Sequence, residues 1–377
     1  MTRFTRRELA RVGVGLSLAR LAAACSPVST PAPTSLPTST PQAIAPAPAV
    51  ATPAVAPTRA GPVSVRAASV FVDLVDSPLY IGFSRGYFNQ VGIDLELQQY
   101  PTLQDMLEPL TGGRLEVAFD AAPGADLFNA LASASGLKLV ANQGATDSSH
   151  DAPYFALAVP QALSDSGEVT QVSDLRGRTI NIVARGSAAH FNVDQALRSG
   201  GLSLDDVQVR EIAMQASVAE MRSGSLAASF LTEPFLTQGK QDGNLQVLVN
   251  LEKLAPGRDF TDVLYAPAFA QRQPLANNFM VAYLRGVRDY LKLFSGRPTT
   301  ERATVVDQLV GFLSVKDARL FDLMTLPSVN PDGRVNAADL QAQRDWFASQ
   351  NLVGAQGDLN QAIDPQFVDF AVRQLGP

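Results

Sequence analysis

The sequence predicts an α/β fold of two parallel-sheet lobes. Three observations lead there. Strand and helix signals alternate from Val65 onward, two stretches a hundred residues apart repeat one phrase, and 315 residues follow position 62 (377 − 62). That length suffices for two separate cores. Strands separated by single helices imply right-handed βαβ units and parallel sheets.

In chain order, MTRFTRRELAR is basic, and VGVGLSLARLAAA is apolar and ends in small residues, the layout of a secretory signal over 1–24. The apolar run falls short of the roughly 20 residues that cross a bilayer. Cys25 is the only cysteine, so a disulfide framework and a thiolate-cluster metal site are excluded. Leu21-Ala22-Ala23-Ala24-Cys25 resembles a bacterial lipobox, with its leucine one place further upstream than usual. Thr5-Arg6-Arg7-Glu8-Leu9 resembles a twin-arginine export signal. Cys25 is thus expected to carry lipid, two chains sufficing for stable anchoring; a plain secretory peptide with an incidental cysteine fits the same residues. Ten prolines among Ala, Thr and Ser between Ser26 and Pro62 make 25–62 an extended tether that cannot bury a core.

VSVRAASV reads as the first strand, and Ser77-Pro78 as a helix start with serine as cap and proline in the first turn. Leu79, Phe83 and Tyr87 give that helix an apolar face, and IDLEL (93–97) alternates as a half-buried strand should. Thr102–Asp105 reads as a capping box, Pro109 and Gly112-Gly113 as the helix stop, and LEVAFD (115–120) as a strand. The phrase returns as a Ser217–Glu220 box, Gly224, and LAASFLTEP (226–234). This is a structural repeat or a coincidence of common units. Between them TINIV (179–183) and VQVRE (207–211) read as strands flanking a helix with Ala189, Val193, Ala196 and Leu197 on one face.

Ligands in open α/β sheets bind beyond the carboxyl ends of the strands. Gly186, Ser187 and Ala188 follow a strand and open a helix, where free amides and close backbone approach suit an anion; a serine cap without ligand fits equally. Arg185 would pair with that anion or face solvent, and Ser77 is a cap, a contact or both. Asp120 and Glu233 end strands of the echoing units and would accept hydrogen bonds from a ligand amine, or form a hinge pair. Tyr80 and Phe128 would stack on a ligand or fill the core. His150 and His190 show no metal-ligand spacing, and Asp147-Ser148-Ser149-His150-Asp151 is adjacency, not a triad. The net charge of −6 and scattered basic residues exclude nucleic-acid binding.

Residues 75–97, 110–120, 175–209 and 221–235, with GRVNAADLQAQRDWFASQNLV at 333–353, resemble one family. It is that of the periplasmic solute-binding proteins of ABC importers that take nitrate, sulfonates, taurine and thiamine-precursor pyrimidines. FVDLVDSP and the alanine-rich loop after Asp120 depart from its usual pattern. The resemblance implies a periplasmic-binding-protein-like fold, with lobe 1 at 63–158 and 266–377, lobe 2 at 159–265, and crossings near Ala156–Pro160 and Tyr265–Ala268. It implies a monomer, anchored by lipid outside the cell membrane. That monomer would carry a small organic anion, zwitterion or amine-bearing heterocycle to a permease and its ATPase, without cofactor or metal. The alternatives are a thiamine-pyrimidine biosynthetic enzyme on the same fold and a ligand-sensing surface lipoprotein.

Overall fold

The computed structural model describes residues 3–4 and 61–376, apart from 71, 134 and 355–357. Cys25 and nearly all of the expected signal and tether lie outside the described residues. The strands are β1 (Arg3–Phe4), β2 (Val63–Ser69), β3 (Ile93–Gln99), β4 (Val117–Ala121), β5 (Lys138–Ala145) and β6 (Phe155–Pro160). They continue as β7 (Thr179–Asn181), β8 (Gln208–Arg210), β9 (Ala228–Thr232), β10 (Leu245–Asn250) and β11 (Asp259–Tyr265).

Two sheets form, in the orders β1-β3-β2-β4-β11-β5 and β10-β6-β9-β7-β8. Leaving aside the short β1 and reading the second from its other end, the orders correspond: β3-β2-β4-β11-β5 against β8-β7-β9-β6-β10. The echoing strands LEVAFD and LAASFLTEP become β4 and β9 and hold the same place in each, so the repeat is structural. Within each sheet the first three of these strands are parallel. β11 and β6 insert antiparallel to both their neighbours, so each sheet is mixed.

The chain changes sheets between Ala145 and Phe155 and again between Asn250 and Asp259. Both changes precede the crossings expected at Ala156–Pro160 and Tyr265–Ala268. Phe155–Pro160 already pairs in the second sheet and Asp259–Tyr265 in the first.

Local sequence explains most elements. In β3, Ile93, Leu95 and Leu97 are buried while Asp94 is exposed. The helix Ala188–Ser199 buries Ala189, Val193, Ala196 and Leu197 and stops at Gly200. Thr102 caps Leu103–Thr111, its Oγ1 accepting from the Asp105 amide at 3.2 Å. Pro109 lies inside that helix, which Gly112 ends. The Ser217 box does not form. Helix Met214–Arg222 starts a turn earlier, and the Ser217 hydroxyl, buried inside it, donates to the Met214 carbonyl at 2.8 Å. Helix Gln273–Phe294 covers the first sheet with Ala276, Phe279, Met280, Tyr283, Leu284, Val287 and Tyr290, the spacing of one helical face. No helix among the described residues is long and apolar enough to cross a membrane.

Candidate functional site

The parallel strands β2 and β4 end side by side, and three carboxylates gather beyond them. After β2, Asp73 and Asp76 cap each other around the turn Leu74–Asp76. The Leu74 amide donates to Asp73 Oδ1 at 2.6 Å and the Asp73 amide to Asp76 Oδ2 at 3.1 Å. At the end of β4, Asp120 adopts a φ of 60°, and its Oδ2 accepts from the Val70 amide at 2.9 Å. Gln143 of β5 links them. Its Nε2 donates to Asp76 Oδ1 at 2.9 Å and to Asp120 Oδ1 at 3.1 Å, while its Oε1 accepts from the Asp120 amide at 2.7 Å.

Val72 (φ 51°) and Val183 (φ 67°) follow β2 and β7, which hold corresponding places in the two sheets. Left-handed backbone at a β-branched residue is strained, and such strain gathers at functional sites.

Among the described residues neither Asp73 nor Asp76 makes an ion pair. Burial, with Asp120 nearby, pushes Asp73 up to about 6. Burial, then Asp120 and Asp73, pushes Asp76 well above the usual carboxylate range. Like charges this close cannot all ionise, so the cluster retains protons.

An aromatic wall lies within the field of these acids. Tyr154 stacks on Phe260, centroids 5.5 Å apart, and Phe155 meets the Phe260 edge at 5.4 Å. Burial pushes the Tyr154 hydroxyl up, Asp73 and Asp120 adding to it. Gly144 makes room for the wall, because a Cβ there would lie 2.5 Å from the Phe260 ring.

The structure brings Ser77, Tyr80 and Asp120 together. Ser77 is not the cap: as the first residue of helix Ser77–Ser84 it donates its hydroxyl to the Leu74 carbonyl at 2.6 Å. Tyr80 is buried, stacks on Phe312 at 4.6 Å, and burial with Asp76 nearby raises its hydroxyl. Asp73, Asp76, Gln143, Tyr154 and Phe260 were absent from the sequence expectations. The Asp-x-x-Asp spacing at 73–76 was the one available signal, a cap pattern before an apolar run.

The second lobe's turn is occupied by its own contacts. The Gly186 amide donates to His190 Nδ1 at 3.2 Å, Ser187 Oγ accepts from the His190 amide at 3.3 Å, and the Gly186 carbonyl accepts from the Ala125 amide at 2.8 Å. Ala188 opens the helix. A Cβ on Gly124 would stand 2.9 Å from that carbonyl, so the two lobes touch here backbone to backbone. Two amides proposed for an anion are satisfied within the turn. Arg185 is exposed and its amide donates to Glu211 at 2.7 Å. Burial and then Arg185 lower His190, which sits neutral against Trp346.

Glu233 caps a helix. Its oxygens accept from the Thr237 amide and hydroxyl, both at 2.9 Å, and from the Thr325 amide at 3.4 Å. Phe128 is core, packed near Phe347 at 5.9 Å and beside a small cavity it shares with Leu131, Val353 and Leu359. Phe128→Ala should therefore cost about 3–5 kcal/mol of stability and leave ligand affinity in the folded protein unchanged, as urea denaturation and calorimetry would read. Ser149 donates to Asp147 at 2.8 Å, while His150 lies 3.6 Å from that same carboxylate and is half exposed, so these residues form no nucleophile–base pair. Among the described residues no cluster of His, Cys, Asp or Glu could hold a metal ion.

A buried acid outside the cluster gives a pH dependence. Asp259 accepts from the Asn336 amide at 2.7 Å, and burial, with Asp339 near, pushes it up to about 7. The folded protein then holds a proton that the unfolded chain releases near pH 4, so this contribution to stability falls as pH rises from about 4 through 7. Asp259→Asn should flatten that decline when urea midpoints at pH 4.5 and 7.5 are compared.

Residues 75–292 match the model of a family described as NMT1/THI5 like. The riboflavin-binding protein RibY of Chloroflexus aurantiacus is 28% identical over 262 residues, covering 65% of this chain and 69% of that protein. Among solved structures, the periplasmic aliphatic sulphonate binding protein SsuA of Escherichia coli superimposes with a TM-score of 0.64 at 18% identity, over 80% of this chain and 98% of that one. The periplasmic nitrate-binding protein NrtA of Synechocystis PCC 6803 gives a TM-score of 0.62 at 11% identity, over 83% and 89%. The two structural likenesses speak for the fold alone.

Proposed function

The chain belongs to the NMT1/THI5-like family, and from that premise we propose that it is the solute-binding component of an ABC importer taking a planar, hydrogen-bond-donating heterocycle. The ligand class is the flavin or aminopyrimidine type, not a bare anion. One observation carries this reading: Asp76 and Asp120 converge on Gln143 at the strand ends, the Asp73 amide donates to Asp76 beside them, and neither Asp73 nor Asp76 makes an ion pair among the described residues. Such a site repels nitrate and simple sulfonates, and its carboxylates accept from ring N–H, amino or hydroxyl groups. The Tyr154–Phe260 stack supplies a flat apolar wall, and the name of the Chloroflexus relative supports a flavin.

A panel of riboflavin, aminopyrimidines, taurine, an alkanesulfonate and nitrate, read by thermal shift and then calorimetry, tests it. Riboflavin or an aminopyrimidine should raise the melting temperature at one site per chain and be recovered unchanged; stabilisation by a sulfonate or nitrate alone would overturn the ligand class. Asp120→Ala should weaken binding of the hit by about tenfold or more, and equal affinity would remove Asp120 from the site.

We read residues 1–24 as an export signal and Cys25 as a lipidated anchor, which places the protein outside the cell membrane. Mass spectrometry of the mature N-terminus checks this, with Cys25→Ser expected to release the protein from the membrane fraction.

A further inference from the structure

We propose that Gln143 is the positioning residue of this site, turning the Asp76 and Asp120 carboxylates toward one amide nitrogen and so fixing the planes in which they meet a ligand. The inference rests on the binding function proposed above.

Gln143 is fully buried, at 0% exposure, in a strand whose residues 139–144 are all buried. An amide nitrogen carries two hydrogens, and both are engaged by carboxylates, at 2.9 Å (Asp76) and 3.1 Å (Asp120). The amide oxygen takes the Asp120 amide at 2.7 Å and the Thr261 hydroxyl at 3.4 Å. Flipping the amide would set its NH2 group against the Asp120 backbone N–H, two donors facing each other, so one orientation is stable. The opposite edges of the acids are fixed as well, Asp76 by the Asp73 amide and Asp120 by the Val70 amide.

A second observation comes from helix Gln273–Phe294. Tyr283 is 1% exposed, and its buried hydroxyl has no hydrogen-bond partner among the described residues. It lies in the field of Asp76, Asp120 and Asp262, which with burial raise it. Buried hydroxyls without partners are rare, and this one feels the charge of the acids that Gln143 aligns. Gln143 thus has two effects beyond packing. It directs the acids, and its donated hydrogens favour their charged forms, lowering Asp76 against the pull of burial.

The test compares full-length wild type with Gln143→Met and Gln143→Glu. Without ligand, 13C NMR should show the Asp76 carboxyl titrating at higher pH in Gln143→Met than in wild type, since a donor to its charged form is gone. With riboflavin as the probe, Gln143→Met should bind about tenfold or more weakly. Gln143→Glu should regain affinity as pH falls, because glutamate can donate only when protonated. A residue that merely fills space would lower the melting temperature but leave the Asp76 titration unmoved and the pH profile of binding parallel to wild type; that result overturns the proposal. Should wild type bind no riboflavin, the flavin reading fails by itself, and the ligand-free titration still decides the role of Gln143.

Discussion

Gly286→Ala should destabilise the protein by about 3 kcal/mol or more and disturb the site from a distance. Helices Ser77–Ser84 and Gln273–Phe294 approach so closely that a Cβ on Gly286 would lie 2.2 Å from the Pro78 carbonyl and 3.1 Å from the Gly82 amide. Both atoms are backbone, and no side-chain rotation relieves the overlap, so the shorter helix must shift. Its first turn follows directly on Asp76; a shift there misaligns the acid cluster as well as loosening the core. Gly82→Ala is the graded control. Its nearest contact would be 3.3 Å, to the Ala282 carbonyl, and the cost should be smaller. Urea denaturation followed by circular dichroism reads both, and equal midpoints for Gly286→Ala and wild type would show that the helices can part without penalty.

Asp194→Ala should cost about 2–4 kcal/mol and loosen the junction between the lobes. Asp194, 1% exposed, accepts from the Trp346 indole at 2.7 Å and from Arg198 at 2.6 Å. It belongs to helix Ala188–Ser199 of the second lobe. Trp346 belongs to Ala337–Ser349, which joins the first lobe through Phe347 and Phe128 and through Asp339 and the Asp259 amide. His190 and Phe191 meet Trp346 edge-on at 5.0 and 5.2 Å. Arg258 lies over Phe191 at 4.7 Å, donates to Asn192 at 3.0 Å and pairs with Asp339 at 3.4 Å. Removing the acid leaves a half-buried indole N–H without that acceptor. Trp346 is the only tryptophan in the chain, so its emission should shift to the red in Asp194→Ala and return toward wild type in Asp194→Asn, which keeps an acceptor. Unchanged emission in Asp194→Ala would show that the contact does not hold the junction.

Most of the architecture was legible because it is encoded locally. Glycine stops, the alternation of 93–97 and the apolar face of 188–199 each depend on neighbours a few residues away. The direction of a strand is not encoded that way. FALAVP is a continuous apolar run and DFTDVLY sets two aspartates among apolar residues; neither pattern distinguishes parallel from antiparallel pairing, so the crossings were displaced and the sheets expected to be parallel. The site divides along the same line. Asp120 stood out as an acid ending a strand. Gln143 did not, since its partners lie 23 and 67 residues away and nothing in KLVANQGA distinguishes an inward amide. Glu233 stood out for the same reason as Asp120 and proved to cap a helix, because the threonine at 237 competes for its oxygens.

The antiparallel strand inside each sheet also orders the events of synthesis. The second sheet is contiguous, β6 to β10, and can pair fully once Asn250 has been made. The first cannot. Among the described residues β5 pairs with no strand but β11, more than a hundred residues later, and until then both β4 and β5 present open edges. The half that emerges first must finish second, and for that interval its apolar edges are exposed to any other chain.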